Sequence, residues 1–401
     1  MSDDAASCRA GFSSDRSRSC SAKYQPNMFR DRAEENLIFT PGRPRPITAG
    51  MRKMLVSAAF AATSVLVCAT GLAAATPSDD PSGPPSPGQG PLAALYPPIV
   101  QGGIQAQFGT RGPHPVSVSE ELTPCTGPAS AIKARIAELA GARAADELDC
   151  SHAFPSGTDA PVKVVYFYPS DLPQLAPAPL VVWFPGITSD PGNYKMLASL
   201  WASRGFVVAI GYNFINSFPT DHVWATQAVI AEASRPDSPL YNRVDFGRTV
   251  LGGHSGGAGA ADWGAVILPA IAADIDPRLR VIGAMSVEPG PQGDVIGPAL
   301  TVPVLQITGT RDPFTMPNAF LMHYTTVQSP AYLATVVNGT HFSIKDGMPD
   351  NPAAALTTAF IEHLAGTDTA ADQVFVGPNW TLAQDPSFTL VARNAPADSI
   401  S

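Results

Sequence analysis

From Pro161 onward, short continuous apolar runs alternate with stretches whose apolar residues recur at helical spacing. The runs "VKVVYFYP" (162–169), "PLVVWFPG" (179–186), "FVVAIGY" (206–212), "RVIGAMSV" (280–287) and "VPVLQITG" (302–309) predict buried strands, with shorter ones at 249–251 and 332–337. Between them the spacing predicts helices. One covers 193–205, with Tyr194, Leu197, Leu200 and Trp201 on one face and Gly205 as its stop. Others cover 221–233 (opened by Asp221), 258–267, 319–326 and 352–366. Val- and Ile-rich strands separated by helices predict an α/β fold: a mostly parallel central sheet, helices on both faces, one domain over 99–401.

Upstream the pattern is different. Between Cys125 and Cys150, "GPASAIKARIAELAGARAADEL" sets Ile132, Ile136, Leu139 and Ala140 at helical spacing, an insertion ahead of the alternating region. Residues 76–98 are rich in Pro, Gly and Ser and read as a flexible linker. Met54–Ala75 carries no charge, follows "MRK" and ends in small residues, which reads as a signal peptide over 51–75. A membrane anchor is the alternative, since the run is long enough to span a bilayer. Met1–Gly50 is polar and patternless, so translation is expected to begin at Met51. Cleavage after Ala75 leaves a secreted chain whose remaining cysteines are Cys125 and Cys150, and a disulfide between them is expected. Closing that loop is worth about 3 kcal/mol in the chain-entropy model. Two buried thiols are the alternative. Zinc is disfavoured, because neither CxxC nor HxxxH spacing occurs around them.

Composition narrows the partners. The chain has 401 residues and a formal net charge of −9, with no basic block, which argues against nucleic acid. It does not identify a substrate.

The candidate chemistry lies in "TVLGGHSGGAGAADW", where glycines crowd one serine between a predicted strand and a predicted helix. Gly253-His254-Ser255-Gly256-Gly257 fits GxSxG. Glycines let the backbone hold a serine in a strained strand-to-helix turn and let a substrate approach it. A serine needs a base, and the base needs an orienting acid, expected in the order Ser, acid, His. Asp312 follows the strand ending in "LQITG", and His341 follows the last strand in "VVNGTHF". Glu288, after "AMSV", is the rival acid. His114, His152 and His222 fall outside the expected order, and His323 and His363 read as packing or surface residues. A tetrahedral oxyanion needs two donors. Gly256 N–H is one; Ile187 N–H, in "FPGITSD", is the expected second, with Thr188 its neighbouring alternative. No cofactor or metal is called for.

These residues resemble the α/β-hydrolase superfamily, specifically its secreted bacterial cutinase-like and poly(ethylene terephthalate)-hydrolase-like (chlorophyllase-like) serine esterases. The likeness runs from "RGPHPVSVS" (111–119) through "PLVVWFPGITSDPGNYKMLASLWASRGFVVAIGY" and "GHSGGAG" to "LQITGTRDPFTMP" and "NGTHF". It implies an α/β-hydrolase fold and carboxylic-ester hydrolysis through a Ser255 acyl-enzyme, on a small-molecule or polymeric ester. Three positions depart from it. Such polyester hydrolases typically carry an aromatic residue where this chain has Ile187, and often Met where it has Gly256. They usually present Trp after the next strand, where this chain reads "VEPGPQG". Short or aliphatic acyl esters are therefore expected ahead of polyester, since ring stacking is lost at those positions. An acyltransferase with the same triad and a non-catalytic binding protein on this scaffold are the alternatives.

Overall fold

A computed structural model describes residues 98–399, apart from 127, 129–130, 133–134, 136–148, 152–160, 291–295, 316–322, 346 and 348–350. The chain divides into two units, Met1–Ala75 and Thr76–Ser401, and every described residue belongs to the second. The expected extension, signal segment and all but the end of the linker lie outside the described residues.

The strands are β1 (Val116–Val118), β2 (Leu122–Pro124), β3 (Asp149–Ser151), β4 (Lys163–Pro169), β5 (Ala178–Phe184), β6 (Val207–Tyr212), β7 (Val244–His254), β8 (Val281–Val287), β9 (Val304–Gly309), β10 (Ala331–Val336) and β11 (Phe388–Arg393). Nine of them form one sheet in the order β1-β4-β6-β5-β7-β8-β9-β10-β11. From β6 to β10 neighbouring strands are parallel. β4 pairs antiparallel with β6, β1 antiparallel with β4, and β11 antiparallel with β10. The principal helices are α1 (Gly103–Phe108), α2 (Lys195–Ser203), α3 (Asp221–Ala233), α4 (Gly256–Ile275) and α5 (Pro352–Ala365). The protein thus has an α/β fold with a mostly parallel central sheet.

Alternation along β5 shows how the sequence builds two cores. Val181 and Trp183 face one layer with α1, α2 and α5; Leu180, Val182 and Phe184 face the other with α3 and α4. All seven β5 residues are buried, as a strand covered on both faces requires. β4, expected to be fully buried, alternates instead: Val165 and Phe167 are buried while Tyr166 and Tyr168 are half-buried, because it lies next to the edge. β7 starts at Val244, ahead of the expected 249, and its pairing with β5 shifts register at Pro179/Leu180. α4 runs to Ile275, past the expected 267, carrying Pro269 inside it. Burial of Leu268 and Ala272 offsets the backbone hydrogen bond that this proline removes. Of the expected helix 319–326, residues 323–326 are helical and the rest lies outside the described residues.

The tryptophans fasten one layer. Trp201 of α2 meets Trp183 edge-on at 5.4 Å, and its indole N–H donates to Thr358 Oγ1 of α5 at 3.1 Å. Removing such a side chain costs about 3–5 kcal/mol. α1 seals the same layer: the Ile104 N–H donates to the Asp385 carboxylate at 2.8 Å, across 281 positions of sequence.

β2 and β3 form a separate two-stranded arm closed by the Cys125–Cys150 disulfide. Asp149 pairs with Lys195, and Ser151 N–H donates to Asp190 Oδ1 at 2.8 Å. The arm is thereby docked on the segment leading from β5 into α2. Residues 131, 132 and 135 in the insertion are helical, but Ile132, expected on a packing face, is 59% exposed. The arm packs on the main domain through Leu122 and Ser151 rather than through this residue. The rest of that expected apolar stripe lies outside the described residues.

Between α3, α4 and the sheet, His222 is fully buried, its Nε2 bonded to Gly252 O at 3.0 Å. Burial drives its pKa down to about 4. The unfolded chain, with an ordinary imidazole near 6.5, therefore takes up a proton there that the folded chain refuses. This contribution is fully present above about pH 6.5 and is lost as pH falls towards 4. Replacing His222 with Gln should remove about one proton from the pH dependence of urea unfolding between pH 4.5 and 6.5, a slope change of ~1.4 kcal/mol per pH unit relative to the wild type. An unchanged slope would mean that His222 is charged in the fold.

Candidate active site

β5 has β6 on one side and β7 on the other, and the helices that follow β5 and β7, α2 and α4, lie on opposite faces. A crevice opens at such a switch point, outside the carboxyl ends of the strands. Two loops meet there: 185–190 after β5, and the turn at Ser255 after β7.

Ser255 carries φ 54° and ψ −118°, a conformation that L residues avoid. It joins β7 to α4 with no intervening loop, and its N–H donates to Val287 O at 3.0 Å. The glycines are needed by contact. A Cβ on Gly253 would come within 2.1 Å of Gly257 O, and one on Gly257 within 2.3 Å of Phe184 O. A Cβ on Gly256 would meet side chains, Ile187 Cγ1 at 2.6 Å and Ser217 Cβ at 3.1 Å. Ile187 thus covers the space that a larger residue at 256 would need.

The three residues picked from sequence converge. His341 Nε2 lies 2.9 Å from Ser255 Oγ, and His341 Nδ1 lies 2.9 Å from Asp312 Oδ2. A carboxylate only accepts, so Nδ1 carries the hydrogen and Nε2 is free to take the serine proton. Asp312 Oδ1 accepts the N–H groups of Phe314 at 2.7 Å and Thr315 at 2.9 Å, which fix the carboxylate. Asp312 and His341 are both buried. Their loops are joined where Thr310 N–H donates to Val336 O and Arg311 N–H to Gly339 O.

Loop 185–190 is laced from the side. Asn216 Nδ2 donates to Gly186 O at 2.9 Å and to Ser189 O at 3.0 Å. Thr188 N–H donates to Phe214 O at 3.2 Å, so this neighbour is already committed. Among the described residues the Ile187 and Gly256 N–H groups have no acceptor, and Gly256, as first residue of α4, has none within the helix. The segment holding Asn216 is braced in turn by Asp221, which accepts from Asn213 Nδ2 and Phe218 N–H, each at 2.9 Å. Burial raises the Asp221 carboxyl to about 7, against those two bonds. Thr188, Asn216, Ser255 and Glu288 all have positive φ, four of the seven such non-glycine residues among those described, so backbone strain gathers around Ser255.

Glu288, the rival acid, is buried with its Oε2 3.2 Å from Nε2 of His254, whereas Nδ1 of His341 is taken by Asp312. His254 itself escaped sequence reasoning. It is buried, bonded to Tyr194 Oη at 2.7 Å and to His341 O at 2.6 Å. The sequence places Tyr194 on a packing face of its helix, and only its burial beside a polar turn distinguishes it. His363 pairs with Asp372 and His114 with Asp171, His323 is buried 3.9 Å from Asp262, and His152 lies outside the described residues. Among the described residues no cluster of three His, Cys, Asp or Glu could hold a metal ion.

The rim is apolar. Phe214, Phe218 and Phe314 are 52%, 42% and 48% exposed, and every exposed phenylalanine among the described residues stands on the loops just described. The Phe314 ring lies 4.9 Å from that of His341. No protein-family model matches this chain, nor does any curated protein.

The glycine contacts separate two outcomes. Gly257→Ala, which meets backbone oxygens, should lose about 3 kcal/mol or more or fail to accumulate as folded protein. Gly256→Ala, which meets side chains, should melt within a few degrees of the wild type. Thermal unfolding of both would reverse the assignment if the two lost equal stability.

Proposed function

We propose that the chain is an exported serine hydrolase of carboxylic esters, of the α/β-hydrolase kind. The observation that carries this reading is the hydrogen-bonded line from Ser255 Oγ through His341 to Asp312. In the first step Ser255 Oγ attacks the acyl carbon while His341 Nε2 takes its proton. The tetrahedral oxyanion accepts from the N–H groups of Gly256 and Ile187, each such donor being worth about 10²–10³ in rate. The alcohol leaves with the proton from His341, giving an acyl-enzyme on Ser255. A water then repeats the sequence, losing its proton to His341 and releasing the acid. Asp312 holds the imidazole in the tautomer that both steps need. Export is supported by the apolar segment at 51–75 and by the Cys125–Cys150 bond, which suits an oxidising compartment.

The positions that argue for short or aliphatic esters are the non-aromatic Ile187 and "VEPGPQG". The three exposed phenylalanines favour a second reading, in which an extended apolar ester, up to a polyester chain, lies across the rim.

On p-nitrophenyl butyrate, Ser255→Ala and His341→Ala should each lower kcat by about 10⁴-fold or more at unchanged Tm. Asp312→Asn should lose about 10³-fold or more, and an intact rate would transfer its role to Glu288. A series of p-nitrophenyl esters run beside a polyester film separates the two substrate readings. Phe218→Ala should weaken turnover of long or polymeric esters at least several-fold while sparing the acetate. Equal losses on both would remove the rim from substrate binding.

A further inference from the structure

The Ser255 region contains a second hydrogen-bonded line that the esterase chemistry leaves unused, and its direction can be deduced. Gly186 N–H donates to Tyr194 Oη at 2.9 Å. Tyr194 Oη lies 2.7 Å from His254 Nδ1, and His254 Nε2 lies 2.6 Å from the carbonyl oxygen of His341. A carbonyl only accepts, so Nε2 must carry a hydrogen. Burial foremost, then the nearby charges of His341 and Lys345, holds His254 well below the ordinary imidazole range, so the ring is neutral and Nδ1 is bare. The Tyr194 hydroxyl therefore donates to Nδ1. All donors point the same way, from the loop after β5 to the loop that carries His341. Both linking side chains are almost fully buried, Tyr194 at 1% and His254 at 1% exposure, so water does not substitute for either. Glu288 Oε2 lies 3.2 Å from the same Nε2, so a carboxylate also faces the ring edge that donates to His341 O.

The ends of this line decide its meaning. Gly186 precedes Ile187, whose N–H is the candidate oxyanion donor, and the His341 carbonyl belongs to the candidate base. We propose that Tyr194 and His254 are positioning residues, which fix the spacing between the oxyanion loop and the His341 loop around Ser255. This rests on the esterase reading of the site. Donor and base must act on two oxygens bonded to one carbon, and misplacing either by about 1 Å costs about 10²-fold in rate. A buried network that merely supported packing would instead show its loss in stability.

The test uses the full chain with Tyr194→Phe, His254→Phe and His254→Gln. End-point titration with a fluorophosphonate counts competent serines, and kcat and KM for p-nitrophenyl butyrate are then expressed per titrated site. Tyr194→Phe should titrate fully, keep KM within about threefold, and lose about 10- to 100-fold in kcat. His254→Gln should run at least about tenfold faster than His254→Phe, because a carboxamide can both accept from Tyr194 and donate to the His341 carbonyl. A Tyr194→Phe kcat within threefold of the wild type, or a Gln variant no faster than Phe, would overturn the inference. If His254→Phe does not accumulate, Tyr194→Phe alone decides it. A wild-type chain that neither reacts with the probe nor turns over ester would overturn the esterase reading itself, and this inference with it.

Discussion

A strand that becomes a helix within one residue forces that residue into backbone geometry an L side chain resists, and the surroundings of Ser255 answer to this demand. The φ of 54° is tolerable because glycines on both sides let Gly257 tuck against the Phe184 and Pro185 carbonyls. The same turn brings the hydroxyl to the mouth of the crevice and leaves the first amide of α4 without a helical acceptor. The position of the Ser255 hydroxyl, the free N–H beside it and the close approach of loop 185–190 are one geometric event. Gly253 and Gly257, which would meet backbone, cannot be enlarged without moving a neighbouring element.

Around that turn the molecule trades local freedom for fixed polar bonds. Asn216 bridges two carbonyls of the loop after β5, Asp312 is held by two amides, and Glu288 is confined against His254. Each of these groups is buried, and a buried polar group is tolerable only when satisfied. Strain at four non-glycine positions is thus sustained by a dense polar shell rather than by apolar packing. The three exposed phenylalanines beside this shell occupy the outer rim, where no polar shell competes with them.

What could be read from the chain follows from where burial is two-sided. β5, β6, β8, β9 and β10 announce themselves as continuous apolar runs because helices cover both of their faces. β1 and β11 escape because they lie at the sheet edges, where burial is partial and the run is short or mixed. The first half of β7 hides behind Asp245, Gly247 and Arg248, and β2 and β3 behind an arm too small to show a pattern. Ser255, Asp312 and His341 were legible because chain order and loop placement suffice to pick them. Tyr194 and His254 were not. A tyrosine on an apolar helix face and a histidine inside a glycine turn look like packing until the distances between elements are known, and those distances are set by the fold rather than by either neighbourhood.

The seal made by α1 bears on how the domain comes together. The Ile104 N–H is satisfied by Asp385, so a chain emerging N-terminus first carries that amide without this partner until nearly the whole sheet has followed, although Arg204 reaches α1 much earlier through Gln107 O and the Phe108 ring. Phe108 is fully buried in the finished layer, and before α5 has followed Arg204 is the partner that lies over its ring. Vectorial synthesis thus splits the docking of α1 into a side that α2 can cover early and a side that waits for the C-terminal segments.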